Sequence, residues 1–294
     1  MDEMNIREMR HGHNLGSDDR LLIHQAANGR EPEKDLQAII NREGSESPAG
    51  QYAQMLLDVM PETIKKVQPA DARQILPMLI TARNEELSLP QTVKTLMESA
   101  LEFLKIHPDF HVAIVIANNA STDETTAAVA RVYAEHKAML LKSHISIEVI
   151  YEGKPGKING IRKGVKHIEE RFGHQYTHII SGDADVRWDK GAVSALWKIA
   201  HPVTGAKPLL VGSNVIPLNR KNFWGFLEHV IYYGYGSLPP RQQGLFMKIV
   251  NGMGYLADKS TLHYWEDIPV EIGSDDTALS ALVGPENIAI AGDA

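Results

Sequence analysis

The chain has 294 residues, 43% apolar and 23% charged, the balance of a soluble globular protein holding one large domain or a catalytic domain with an appendage. A formal charge of -7 argues against a nucleic-acid binder, which would carry a basic face. The absence of cysteine excludes disulfides and thiolate metal sites and suits a reducing, cytoplasmic compartment.

The opening MDEMNIREMRHGHNLGSDDR mixes acids and bases with no apolar stretch, so it does not read as a secretory signal. No uninterrupted apolar run approaches the roughly 20 residues of a spanning helix, which leaves contact with a membrane surface open. His11 and His13 could pair on a metal, but a terminus is a poor place to hold one. DLQAIINR (35–42) and GQYAQMLLDVMPETIKKV (50–67) place apolar residues at helical spacing, broken by Asn28-Gly29 and GSESPAG (44–50). Residues 1–74 therefore read as a helical extension for packing or homo-oligomerisation.

From residue 75 the texture becomes regular. Strands are predicted over ILPMLIT (75–81), VAIVIAN (112–118), ISIEVIY (145–151), THIISGD (177–183) and LLVGSNVI (209–216). Helices are predicted between them, at 89–105, 123–137, 157–171 and 190–201. This alternation gives an α/β fold with a mainly parallel sheet covered on both faces, over 75–294. Ligands of such sheets bind beyond the carboxyl ends of the strands.

The first strand runs into TARNEE and the second into NNASTDET (118–125). Ser121 or Thr122 would cap the next helix, with Asp123 and Glu124 in its first turn. Capping leaves Asn118 and Asn119 unexplained; two amides there suit a nucleobase edge or a ribose. The third strand leads into YEGKPGKINGIRKG (151–164), where glycines permit close backbone approach. Lys154, Lys157, Arg162 and Lys163 concentrate positive charge there, either a phosphate site or a solvated basic turn.

The fourth strand ends in SGDADV. Asp183 and Asp185, two apart in extended chain, point the same way and suit Mg²⁺ or Mn²⁺. In EIGSDDTALSALV (271–283), Asp275 and Asp276 head an apolar helical run, as a cap or as a general base. The aromatic stretch NFWGFLEHVIYYGYG (222–236) reads as helix packing, an acceptor platform, a lid or a membrane-facing edge.

These pieces, in this order, resemble the family 2 glycosyltransferases of GT-A fold, over about residues 75–283. LITARNEE is similar to the opening strand and turn, and VIANNASTDET to the nucleoside segment, usually Asp-Asp-Gly-Ser-Thr-Asp-Gly-Thr. GKPGKINGIRKG resembles the Lys/Gly segment, SGDADV the DXD metal motif, VNGMGYLADKSTL (250–262) the acceptor-side segment, and GSDDTAL the Glu-Asp motif of the base.

The resemblance implies a donor site of Ala82, Arg83, Asn84, Glu85, Asn118, Asn119, Lys154, Lys157, Asp183, Ala184 and Asp185. It implies a divalent metal on Asp183 and Asp185, with one of them also meeting the ribose. Asn251, Gly252, Met253 and Gly254 would line the acceptor side. Asp276 would be the base, with Asp275 in place of the family's glutamate. The implied reaction is metal-dependent inverting transfer of a hexose from a UDP- or GDP-sugar to a hydroxyl of a saccharide, a lipid-linked sugar or a small molecule. Asn118-Asn119 replaces two acids, which leaves the nucleobase open, and no Gln-X-X-Arg-Trp motif follows the base. The alternatives are a retaining GT-A enzyme, with His263 as a further metal ligand, a sugar-phosphate nucleotidyltransferase and a non-catalytic nucleotide binder. TARNEE lacks the glycine-rich loop a nucleotidyltransferase would show.

Overall fold

The computed structural model describes residues 15–29, 31–67, 73–214, 250, 252–272 and 274–291. His11, His13, Asn251 and the aromatic stretch 222–236 lie outside the described residues. Four helices come first: α1 (Ser17–Ala27), α2 (Pro32–Glu43), α3 (Pro48–Leu57) and α4 (Pro61–Val67). Proline opens the last three, where the first N–H has no helical partner to lose. Pro61 also splits the 50–67 stretch that the periodicity joins, because a ring inside a helix clashes with the preceding turn.

The sheet follows, with β1 (Gln74–Ala82), β2 (Phe110–Asn119), β3 (Ile145–Glu152), β4 (His178–Asp183), β5 (Leu210–Gly212), β6 (Tyr255–Asp258) and β7 (Ile288–Ile290). Their order is β3-β2-β1-β4-β6-β5-β7. Strands β1 to β4 are parallel to one another, and β6 runs antiparallel between β4 and β5. The fold is thus the mainly parallel, GT-A-like sheet expected. The remaining α-helices among the described residues are α5 (Leu89–Ile106), α6 (Thr125–Ser143), α7 (Lys157–Phe172), α8 (Ala192–Ala200), α9 (Tyr264–Asp267) and α10 (Asp275–Val283).

Alternate residues of each strand face opposite layers. Leu76, Met78, Ile80, Val112, Ile114 and Ile116 join one core with α5 and α6, and Leu79, Val115 and Ala117 join another with α7. Every residue of β2 is buried, which is why it reads as an unbroken apolar run. The predicted strand at 209–216 is strand only over Leu210–Gly212, and residues 215 and 216 lie outside the described residues.

The sheet starts at Gln74, yet Ile23, Leu36, Ile40 and Leu56 of the preceding helices share the first core with Met78 and Ile114. The segment after α3 covers the free edge of β3: the Val149 N–H donates to the Val59 carbonyl at 2.8 Å. An edge so paired is closed to intermolecular pairing at that point. On the same strand the carboxylate of Glu148, fully buried, faces α7. Arg171 Nε lies 2.9 Å from one oxygen and His167 Nε2 2.9 Å from the other. The arginine N–H is not aimed along that contact, so charge holds the pair rather than a linear hydrogen bond.

Candidate active site

Strand register brings the loop-bearing ends to one rim: Asp183 sits opposite Thr81, Ala82 opposite Asn118, and Asn119 opposite Glu152. TARNEE, NNASTDET, the Lys/Gly loop and the DAD turn therefore gather at the carboxyl edge of four adjacent strands, where α/β sheets bind ligands.

The first two loops clasp one another. Asn84 N donates to Ser121 Oγ at 3.0 Å, and its side-chain oxygen accepts from Thr122 N at 2.8 Å. Glu85 N donates to Thr125 Oγ1 at 3.0 Å, Glu86 N to Asp123 Oδ2 at 3.0 Å, and Glu124 N to Glu86 Oε2 at 2.9 Å. Asn84 and Ala120 both have positive φ, 57° and 52°. Such backbone is uncommon outside glycine and clusters at functional turns, most costly for a residue like Ala120 that cannot bond locally. The capping expectation is corrected here. Neither Ser121 nor Thr122 caps α6, which starts at Thr125 after Glu124, because their polar groups serve the clasp. Arg83 is exposed, and Ala82 is buried at the strand's end.

Both asparagines are buried. Asn118 binds Ser121 N at 3.1 Å and Thr126 Oγ1 at 2.8 Å. Asn119 donates to the Lys154 carbonyl at 2.7 Å and accepts from Gly156 N at 2.8 Å. The pair thus shapes the rim from beneath: one amide holds the β2 turn and the other fixes the Lys/Gly loop. Gly156, at φ 124°, adopts the backbone that lets this loop enter α7. Lys154 is exposed.

Lys157, the first residue of α7, is the centre of the site. Its Nζ lies 2.7 Å from Asp183 Oδ1 and 3.0 Å from Asp275 Oδ1. Burial lowers the lysine's pKa, but the Asp183 and Asp275 carboxylates outweigh it and hold the group above its ordinary value. Asp183 is pushed up by burial, which outweighs the pull of Lys157, and Asp275 and Asp185 add to the push. Behind it, Thr92 of α5 donates to the carbonyl of buried Ala184 at 2.7 Å, and Thr95 receives Trp188 N at 3.1 Å, so α5 fixes the DAD turn. Asp185 is exposed.

Asp276 faces the backbone at Gly252. Its Oδ2 accepts from Gly252 N at 2.9 Å, and its Oδ1 accepts from Ser274 Oγ at 2.6 Å and Thr277 N at 2.7 Å. Burial opposes ionisation, but these hydrogen bonds, with Lys157, hold its pKa below the ordinary carboxylate value. A Cβ on Gly252 would come to 3.3 Å from Lys157 Nζ and 3.4 Å from Asp276 Oδ2, so this glycine lets backbone approach both groups. Met253 is half-buried, and the buried Gly254 receives Ser213 N on its carbonyl at 2.9 Å.

Two expected groups fall elsewhere. Arg162 donates to the carbonyls of Trp265 (2.9 Å), Glu266 (2.8 Å) and Ile268 (2.9 Å), so it closes the end of α9 instead of adding to an anion site. His263 follows β6 at the opposite edge of the sheet, because the antiparallel register pairs Asp258 with His178, the first residue of β4, so it is no ligand beside Asp183. One residue the sequence did not flag is Tyr255, fully buried on β6 opposite Ser181. Burial raises its phenol strongly, and the nearby Asp275, Asp183 and Asp276 carboxylates push the same way. Without β6 in the predicted topology, nothing in the sequence brings it there.

Among the described residues no three ligating side chains converge on one point. Among the described residues, the carboxylates of Asp183, Asp275 and Asp276, with Asp185 next to Asp183, gather around the ammonium of Lys157. That donor set fits a hard cation taking one or two carboxylates and completing its shell with water and substrate phosphate.

Residues 78–211 match the family model described as glycosyl transferase family 2. Among solved structures the chain is similar to the mannosyltransferase PcManGT from Pyrobaculum calidifontis in complex with GDP-Man and Mn²⁺. Identity is 16%, the TM-score is 0.50, and the match covers 87% of this chain and 68% of that one. It is also similar to residues 1–349 of TarS from S. aureus, at 13% identity and a TM-score of 0.44, over 75% of this chain and 58% of that one. The comparison with curated proteins found no match. No helix among the described residues is long and apolar enough to cross a membrane.

Proposed function

We propose that this chain transfers a hexosyl group from a UDP- or GDP-sugar to a hydroxyl acceptor, with inversion. The observation that carries the reading is Lys157 Nζ bridging Asp183 at 2.7 Å and Asp275 at 3.0 Å, which joins the Lys/Gly loop, the DAD turn and the head of α10. A nucleoside diphosphate leaving group gathers negative charge as the glycosidic bond breaks, and Lys157 stands where it would stabilise that charge. Asp183 and Asp185 would hold Mn²⁺ or Mg²⁺, which supplies Lewis-acid stabilisation of the diphosphate when bound. Asn84, Ser121 and Thr122 would frame the nucleoside, with Asn118 and Asn119 setting the loop shape. Residues 252–254 would border the acceptor.

Asp276 is the assigned base, taking the proton of the acceptor hydroxyl. A second reading gives that role to Asp275, and one observation favours it. The accepted hydrogen bonds of Asp276 and the ion pair of Asp275 weaken both as bases, and it is position that favours Asp275, which stands 3.0 Å from Lys157 at the donor site.

The test is a binding and turnover panel of UDP- and GDP-sugars with and without Mn²⁺. A donor that raises the melting temperature only with metal, and a product of inverted anomeric configuration, are expected. Asp276→Asn should abolish turnover while leaving donor binding; if Asp275→Asn does so instead, the base moves to Asp275. Failure of every nucleotide to stabilise the protein with metal present would overturn the donor assignment.

A further inference from the structure

The helices before the sheet have no part in the chemistry above, yet one of them reaches the donor rim. The Glu124 carboxylate lies between two guanidiniums, Arg131 of α6 at 3.0 Å and Arg20 of α1 at 3.7 Å. Its backbone N–H is the one that donates to Glu86, and the Glu86 N–H in turn donates to Asp123. The residue that α1 grips therefore locks the β1 turn to the β2 turn. Arg20 is itself anchored. Ile23 and Ala27 bury the inner face of α1, and His24 Nε2 meets Tyr52 Oη of α3 at 3.2 Å. Burial holds His24 below its ordinary pKa, so its ring is neutral at pH 7 and the charge α1 directs at Glu124 is that of Arg20.

We propose that the N-terminal helices brace the donor turn, with Arg20 as a positioning residue acting through Glu124. This rests on the reading of Asn84, Ser121 and Thr122 as the nucleoside frame. The Arg20–Glu124 pair is 30% and 31% exposed, and pairs so exposed contribute little to global stability. Their effect lies in geometry. With Arg20 absent, Glu124 is drawn to Arg131 alone, the clasp loosens, and the donor must order the turn as it binds, which weakens binding without altering the chemical step.

The test uses the full chain and titration calorimetry with UDP, GDP and inorganic pyrophosphate in Mn²⁺. Arg20→Met should bind the preferred nucleoside diphosphate about two- to fivefold more weakly, the scale of one exposed ion pair. Pyrophosphate, which lacks the nucleoside, should bind unchanged, and Arg20→Lys should recover most of the loss. Glu124→Gln combined with Arg20→Met should be no weaker than either alone. The inference is overturned if Arg20→Met binds the nucleotide like wild type, if pyrophosphate weakens equally, or if the lysine variant recovers nothing. If the wild-type chain binds pyrophosphate but neither nucleotide, the nucleoside reading itself falls and takes this inference with it.

Discussion

Replacing Arg171 by methionine tests how firmly α7 is held to the sheet. The side chain is 4% exposed and Glu148 is fully buried, with 2.9 Å between guanidinium Nε and carboxylate. Removing one partner of a buried pair leaves an uncompensated charge and costs about 3–5 kcal/mol. His167, 2.9 Å from the other oxygen, remains, so the lower end is expected, about 3 kcal/mol. In a chain of this size that is a fall of about 6–10 °C in melting temperature, read by calorimetry or urea unfolding at pH 7. The companion Glu148→Met/Arg171→Met removes both charges and keeps the volume, and it should recover most of the loss. A loss below about 1 kcal/mol for Arg171→Met, or a double variant as unstable as the single, would refute the account of a desolvated pair.

Other outcomes follow from the same geometry. In Gly182→Ala a Cβ would stand 2.8 Å from the Trp188 ring and 3.0 Å from the Met253 carbonyl oxygen, so urea unfolding should show a loss of about 1–3 kcal/mol from overpacking. His178 is buried and its pKa is lowered to about 4 by burial and by His201, against the opposing pull of Asp258. A depressed folded pKa means the unfolded chain binds the proton first. Stability is therefore full above about pH 6.5 and falls by up to about 3 kcal/mol as pH drops toward 4. His178→Phe should flatten that part of the acid limb in a pH series of melting temperatures. Asp185→Asn should abolish the Mn²⁺-dependent part of any nucleotide-induced stabilisation while leaving the melting temperature without ligand within about 1–2 °C, since the side chain is exposed.

The first half of the sheet was legible because each signal was long. β2 is ten buried residues, and α5, α7 and α8 carry buried residues at helical spacing, while the first half of α6 is buried all round. The rim residues were legible for a simpler reason: in a parallel sheet whatever follows a strand must sit at its carboxyl edge. β6 and β7 were not, because YLAD and IAI are too short for a period to register, and only pairing with distant strands makes them strands. That omission hid Tyr255 and left His263 looking available. Arg162 misled in another way, since its charge is evident in sequence but the three carbonyls that engage it come from α9 and beyond. Asn118 and Asn119 were found, but their amides face the protein's own backbone and hydroxyls, and residue type alone does not tell a ligand from an internal partner.

The antiparallel insertion of β6 has a consequence for how the molecule assembles. β1, β2 and β3 join through successive crossovers, whereas β6 reaches β4 by pairing Tyr255 with Ser181, and β7 reaches β5 by pairing Ile288 with Leu210. Contacts between segments so far apart close large loops and form slowly. The nucleotide half of the rim should therefore acquire hydrogen-exchange protection early in refolding. The half carrying Gly252, Asp275 and Asp276 should follow later, so the proposed nucleotide pocket would exist before the proposed base is in place.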